Sequence, residues 1–352
     1  MKVTYLTLDA LRGIAAIFVV IFHTGAYWGG LSFHQSFLAV DMFFILSGFV
    51  IAHAYEAKLV NGDITIKSFI MIRIIRLYPM YFISIFFAVF ATLVKVTDVQ
   101  LHDGSYLNSL IQSSLFTLLF LPSQLVGSIF LFPLNTPYWS VFYELVVNFF
   151  YGLIGFKFTN KVLVLFLLVG GFALIMLAYL HGHIDAGMTW RQTSILSGFV
   201  RSGFGIFLGV YLYRVRASIL PSLKVPNWVV LLTMAVVFMI PDLGKLNGAF
   251  NLFAIFLVFP FCVLVGSRCE SGKVASQIFR MLGQASYPLY LLHSPVSILI
   301  YFNFGMVVKN NAPYSGMILV AGLIVFSLLL EKVYDIPVRR NLTSVFLKRH
   351  RK

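Results

Sequence analysis

The sequence predicts an all-α fold: a polytopic inner-membrane helical bundle of about ten transmembrane helices, with a re-entrant segment near 107–134 and both termini cytoplasmic. Three observations predict it. Of the 352 residues, 60% are apolar and only 11% are charged, whereas roughly a quarter of a soluble domain is charged. The apolar residues fall in long unbroken runs, which suits spanning helices and not the alternating strands of an outer-membrane barrel. The basic residues are shared unevenly between successive loops, as in multi-pass proteins. Together these exclude a soluble enzyme, a disordered chain and a disulfide scaffold. Cys262 and Cys269 lack metal or redox spacing and read as ordinary thiols.

In chain order, the runs place spans at 6–28, 37–55, 74–94, 138–155, 162–181, 195–213, 228–240, 250–266, 282–302 and 315–330. The first has a basic start like a leader peptide. Arg12 and His23 interrupt it and no clean cleavage site follows, so it reads as a mature helix. The stretch 107–134 is apolar but carries Pro122, Gly127, Pro133 and the polar pair Ser123-Gln124. If it does not cross, all but five of the 26 basic residues fall in cytoplasmic segments, the exceptions being Lys95, Arg191, Arg201, Lys245 and Lys309. If it crosses, every later loop flips and most of that bias is lost. The positive-inside rule therefore favours ten crossings and a segment that dips in and returns. Irregular backbone at that depth needs protein or a watery cavity around it. Residues 1–332 read as one membrane domain and 333–352 as a short basic cytoplasmic tail. The net charge of +14 points to anionic membrane lipid as the partner, not to nucleic acid.

Titratable groups inside hydrocarbon are costly and mark cavities or partners. Arg12 and His23 lie eleven positions apart in the first helix. That is about 16 Å along the axis and about 20° from three full turns, so they share a face. Asp41 opens the second span at a depth matching His23, where it could orient the imidazole and fix its tautomer, or serve as a helix-start carboxylate. Ser47-Gly48 allows another helix or a ligand to come close. Arg73 and Arg76 are i and i+3 at the start of the third span, placed to hold a phosphate or to anchor the topology. Ser140 and Glu144 are i and i+4 on one face among Tyr138, Trp139 and Tyr143, where Glu144 either serves the chemistry or pairs with an arginine. The combined expectation is one polar channel through the bundle, with an arginine cluster at its inner edge and a base further out. No metal is called for.

The segments LDALRGIAAIFVVIFH, AVDMFFILSGF, RIIRLYP and YWSVFYEL occur in this order. In this they resemble the integral-membrane acyltransferase 3 family, which includes bacterial O-acetyltransferases of surface polysaccharides. FVRSGFGIFLG around Arg201 and SYPLYLLH from Tyr287 to His293 match more loosely. The resemblance implies a membrane O-acyltransferase of the bacterial inner membrane. It would move an acyl group, acetyl above all, from cytoplasmic acyl-CoA to a hydroxyl of a cell-surface or lipid-linked saccharide. It implies catalytic roles for His23, Asp41, Ser140 and Glu144, and donor binding by Arg12, Arg73 and Arg76. Many relatives carry a fused extracytoplasmic esterase-like domain; with the sequence ending at Lys352, the expectation is either no such relay or one that passes to a separate extracytoplasmic partner. The alternative reading is a transporter or flippase with an intramembrane proton relay. The missing inverted repeats and paired broken helices count against it.

Overall fold

The computed structural model describes residues 5–31, 33–97, 104–219, 225–269 and 272–347. Of the basic residues counted for orientation, Lys2, Lys224, Lys348, Arg349, Arg351 and Lys352 lie outside the described residues. Among the described residues there is no strand, only an isolated bridge between Phe130 and Thr189. The principal helices are α1 (Leu6–His23), α2 (Ala39–Ile51), α3 (Ile66–Lys95), α4 (Gly104–Leu118), α5 (Tyr138–Leu153), α6 (Asn160–His181) and α7 (Gln192–Ile219). They are followed by α8 (Asn227–Met239), α9 (Asn247–Phe253), α10 (Phe259–Gly266), α11 (Lys273–Asn310), α12 (Tyr314–Leu330) and α13 (Ile336–Phe346). π-turns join α2 to a last short turn, α9 to α10 and α12 to α13. Among the described residues, eight helical segments are long and apolar enough to cross a membrane, and the protein is a multi-pass helical bundle.

Two of the ten expected spans are short for a bilayer, α8 as the sequence placed it and α5 two residues shorter than the 138–155 expected. α8 has 13 residues and α5 has 16, about 20 and 24 Å at ~1.5 Å per residue, against a ~30 Å hydrocarbon core. α4 descends beside α3 as far as the middle of that helix, where the Tyr81 hydroxyl donates to Thr117 O at 3.0 Å and Phe120 stacks on Tyr81 at 4.1 Å. Phe120 reverses the chain at φ 58°. Residues 121–137 then run irregularly, tied by Leu131 N to Met188 O (2.9 Å) and by Trp190 N to Ile129 O (3.1 Å). The stretch thus dips and returns, and its irregular part leads directly into the start of α5 at Tyr138. The segment read as a tail remains helical to Phe346, and α13 packs along α3.

The centre of the bundle is the α2–α7 pair, and α1 lies closely along α11. At the rim, α6 exposes Leu165, Leu168, Val169 and Phe172, as suits a lipid-facing helix. α2 and α7 meet through glycine. A Cβ on Gly48 would collide with the Ile206 carbonyl, and one on Gly209 with the Ile45 carbonyl. Gly48 is therefore a packing residue, which settles one of the two readings of Ser47-Gly48. Gly48→Val is expected to cost about 3 kcal/mol or more, seen as loss of the monodisperse peak when membranes are solubilised and run on size exclusion. A normal peak would mean that the helices can separate without penalty.

Candidate active site

One end of the bundle holds a narrow cavity of ≈ 100 Å³ walled by five helices. Arg12 comes from α1, Ser47 from α2, Arg73 and Arg76 from α3, Ser140 and Glu144 from α5, and Tyr287 and Tyr290 from α11. The helical spacings read from the sequence therefore do bring these groups together. Arg12 donates from Nη2 to Asp9 Oδ1 at 2.8 Å and from Nε to Ser286 Oγ at 3.0 Å. Arg73 is buried and donates from Nη2 to Glu144 Oε1 at 2.9 Å. Ser47 Oγ donates to the same oxygen at 2.5 Å. The Arg73 Nε–H is buried with no acceptor. Arg76 is exposed at the cavity wall, and among the described residues no carboxylate lies within 4.0 Å of it. Two guanidiniums i and i+3, one with a spare buried donor and the other without a carboxylate partner, have the chemistry to hold an anion.

His23 is not in that cavity. It opens into a second cavity of ≈ 230 Å³ at the other end, with Thr24, Tyr27, Lys95 and Tyr301. The single channel expected from the sequence is divided. Tyr290 lines the arginine cavity, the His293 ring lies 6.0 Å from Tyr290, and the His23 ring lies 5.0 Å from His293. The Tyr290 hydroxyl and Ser140 Oγ are hydrogen-bonded at 2.6 Å, and Tyr290 also donates to Pro137 O at 3.0 Å. A shared face on α1 fixes the heights of Arg12 and His23, but it does not reveal that α11 fills the space between them.

The imidazole tautomers follow from their partners. His23 Nδ1 lies 2.9 Å from Val19 O, and His293 Nδ1 lies 2.7 Å from Tyr290 O. A carbonyl only accepts, so in each neutral ring Nδ1 carries the hydrogen and Nε2 the lone pair. His293 is fully buried and its Nε2 has no partner.

Asp41 does not orient His23. It accepts from Arg201 Nε at 3.0 Å and from Nη2 at 2.6 Å, joining α2 to α7 at the bundle centre. Arg201 also donates to Ala186 O at 2.7 Å, lies 4.0 Å from Asp185 and sits 5.2 Å over the Trp139 ring. Matching depth on neighbouring helices set the height of Asp41, but its azimuth faces α7. The tautomer of His23 is fixed by its own helix instead. Among the described residues no carboxylate lies within 4.0 Å of His23. In the loop before α7, burial pushes the Asp185 carboxyl above its usual range, against the pull of Arg201.

Sequence reasoning missed Ser286 and Tyr290. A signal was present: Ser286, Tyr290, His293 and Ser297 fall at i, i+4, i+7 and i+11, a polar stripe on an otherwise apolar helix. Tyr287 lies beside that stripe and donates to Leu77 O at 2.9 Å.

Fold and site together define an integral-membrane protein with a polar centre set between two opposed cavities. The family model for acyltransferase 3, an acyltransferase domain, matches residues 5–332. The chain belongs to this family and is a membrane acyltransferase. It is 39% identical over 184 residues to "Protein 2 in picA locus" of Rhizobium radiobacter, covering 49% of this chain and 94% of that protein. It is 35% identical over 94 residues to a Staphylococcus aureus (strain COL) protein provisionally named an O-acetyltransferase, covering 26% of this chain and 15% of that longer protein. A protein of the same provisional name from Staphylococcus aureus (strain N315) matches to the same extent. No solved structure matches.

Proposed function

We propose that the protein is an O-acyltransferase of the bacterial inner membrane, carrying acetyl from cytoplasmic acetyl-CoA to a hydroxyl of a cell-surface or lipid-linked saccharide. The observation that carries this reading is the arginine cavity, with its spare Arg73 donor and an Arg76 that has no carboxylate partner among the described residues, set in line with the Tyr290–His293–His23 stack. The arginine end faces the cytoplasm, as the loop charges require. Arg73 and Arg76 bind the donor phosphates at the mouth. The ≈ 100 Å³ cavity is too small for a nucleotide, so the nucleotide stays at the mouth and only the slimmer pantetheine arm enters. Delivery to His23 then requires Tyr290 to swing aside.

At the far end His23 Nε2 takes the proton of the acceptor hydroxyl. The hydroxyl oxygen bonds to the acyl carbon, the carbon–sulfur bond breaks, and the proton passes to the leaving CoA thiolate. In a two-step variant the same Nε2 attacks the thioester first. A burst of CoA thiol ahead of product distinguishes the two routes.

The test uses protein in nanodiscs with labelled acetyl-CoA. Arg73→Ala and Arg76→Ala should each weaken donor binding about tenfold, the loss of roughly one charge-assisted contact. Arg76→Ala is the cleaner variant, because it leaves no carboxylate stranded. Unchanged donor affinity in Arg76→Ala would reduce this arginine to a topology anchor.

A further inference from the structure

The cavity around His23 has a composition that the acyl-transfer step does not require. One wall is aromatic. Tyr27 and Tyr301 lie 6.1 Å apart, and the Tyr27 hydroxyl is committed to Ser297 O at 2.6 Å. Thr24 is also committed, donating to Val20 O at 2.7 Å and accepting from Trp28 Nε1 at 3.0 Å. Lys95, which lines the cavity, is an exposed cation. Lys309 stands at the neighbouring helix end with its ammonium 5.8 Å over the Tyr301 ring. Among the described residues neither lysine lies within 4.0 Å of a carboxylate. Asp185, whose charge also acts on His23, lies 4.0 Å from Arg201.

Both lysines belong to the small minority that the loop-charge count places on the non-cytoplasmic side. Each also sits in the last turn of its helix, where a cation complements the helix dipole. That role alone does not call for one lysine in the lining of an aromatic cavity beside a base and a second over the Tyr301 ring of the same cavity. Aromatic rings stack on the C–H faces of a sugar, and unpaired ammonium groups select negative charge. The cavity volume suits one sugar ring rather than an oligosaccharide.

We propose that this cavity is the acceptor subsite and that it selects an anionic saccharide. A ring stacks on Tyr301, a phosphate or carboxylate beside that ring meets Lys95 and Lys309, and a hydroxyl faces His23. The proposal rests on the acyltransfer reading above and adds the charge of the acceptor.

The experiment supplies labelled acetyl-CoA to the protein in nanodiscs with three probes. These are decyl glucoside, decyl glucuronide and decyl-pyrophosphate-linked glucose. Acetyl-CoA binding is measured in the same samples. At least one anionic probe should be acetylated with a kcat/KM about tenfold above that of the neutral glucoside. Which of the two is preferred tells a uronate from a lipid pyrophosphate. In the Lys95→Gln/Lys309→Gln double variant the anionic-to-neutral ratio should fall toward one. Added salt should lower the ratio in the wild type. Equal use of all three probes, or a ratio that survives the double variant, overturns the proposal. Acetyl-CoA bound with no probe acetylated overturns it as well, while leaving the donor site standing. No acetyl-CoA bound and no probe acetylated overturns both this proposal and the reading beneath it.

Discussion

His23→Ala should lower acyl transfer by about 10²–10⁴-fold, the usual contribution of a positioned base. Acetyl-CoA binding at the arginine cavity and the size-exclusion profile should stay as in the wild type. The separation is expected because His23 lies outside that cavity and, among the described residues, its one hydrogen bond is to Val19 O of its own helix. Its removal strands no buried charge. The Nδ1 contact to Val19 leaves Nε2 as the lone-pair nitrogen, on the side of the ring away from its helix. Full activity in His23→Ala would move the base elsewhere. His293 would be next, because its Nε2 is also a bare acceptor.

Arg201→Ala should fail differently. It leaves Asp41 charged and buried between α2 and α7, and breaking one partner of such a pair costs about 3–5 kcal/mol. Little folded protein should survive solubilisation, whatever the activity assay shows. Asp41→Ala should behave alike, because it strands a fully buried guanidinium. The double variant Asp41→Leu/Arg201→Met removes both charges and should recover a folded bundle. Thermal unfolding in detergent reads all three. If the single variants melt within about 2 °C of the wild type, an effect of less than about 1 kcal/mol, the pair does not hold the helices together. Activity in the recovered double variant then shows whether Asp41 contributes anything to the chemistry.

The cost of burying charge made much of this site legible in the sequence. Arg12, Arg73, Arg76, Ser140 and Glu144 were each placed by helical spacing and depth, and they share one cavity. The dip and return of residues 107–134 was legible from its prolines and from loop charge. What spacing along one helix cannot carry is azimuth against a neighbour. Asp41 therefore found Arg201 instead of His23, and the gap between Arg12 and His23 turned out to be occupied. The end of α5 was read two residues too far, because apolar composition continues past Leu153 into Ile154. Ser286 and Tyr290 were recoverable from their stripe, since a polar row on an apolar helix records what the helix faces.

The ring of Tyr290, anchored to Ser140 and Pro137 and backed by His293, also bears on the energetics of the cell. A bilayer pierced by an open polar tube would leak protons and short-circuit the gradient that the membrane maintains. With the two chambers kept apart at rest, the acyl arm of the proposed route would occupy the opening it makes, much as a piston fills its bore. Acetyl carried by that route would cross without ions following it.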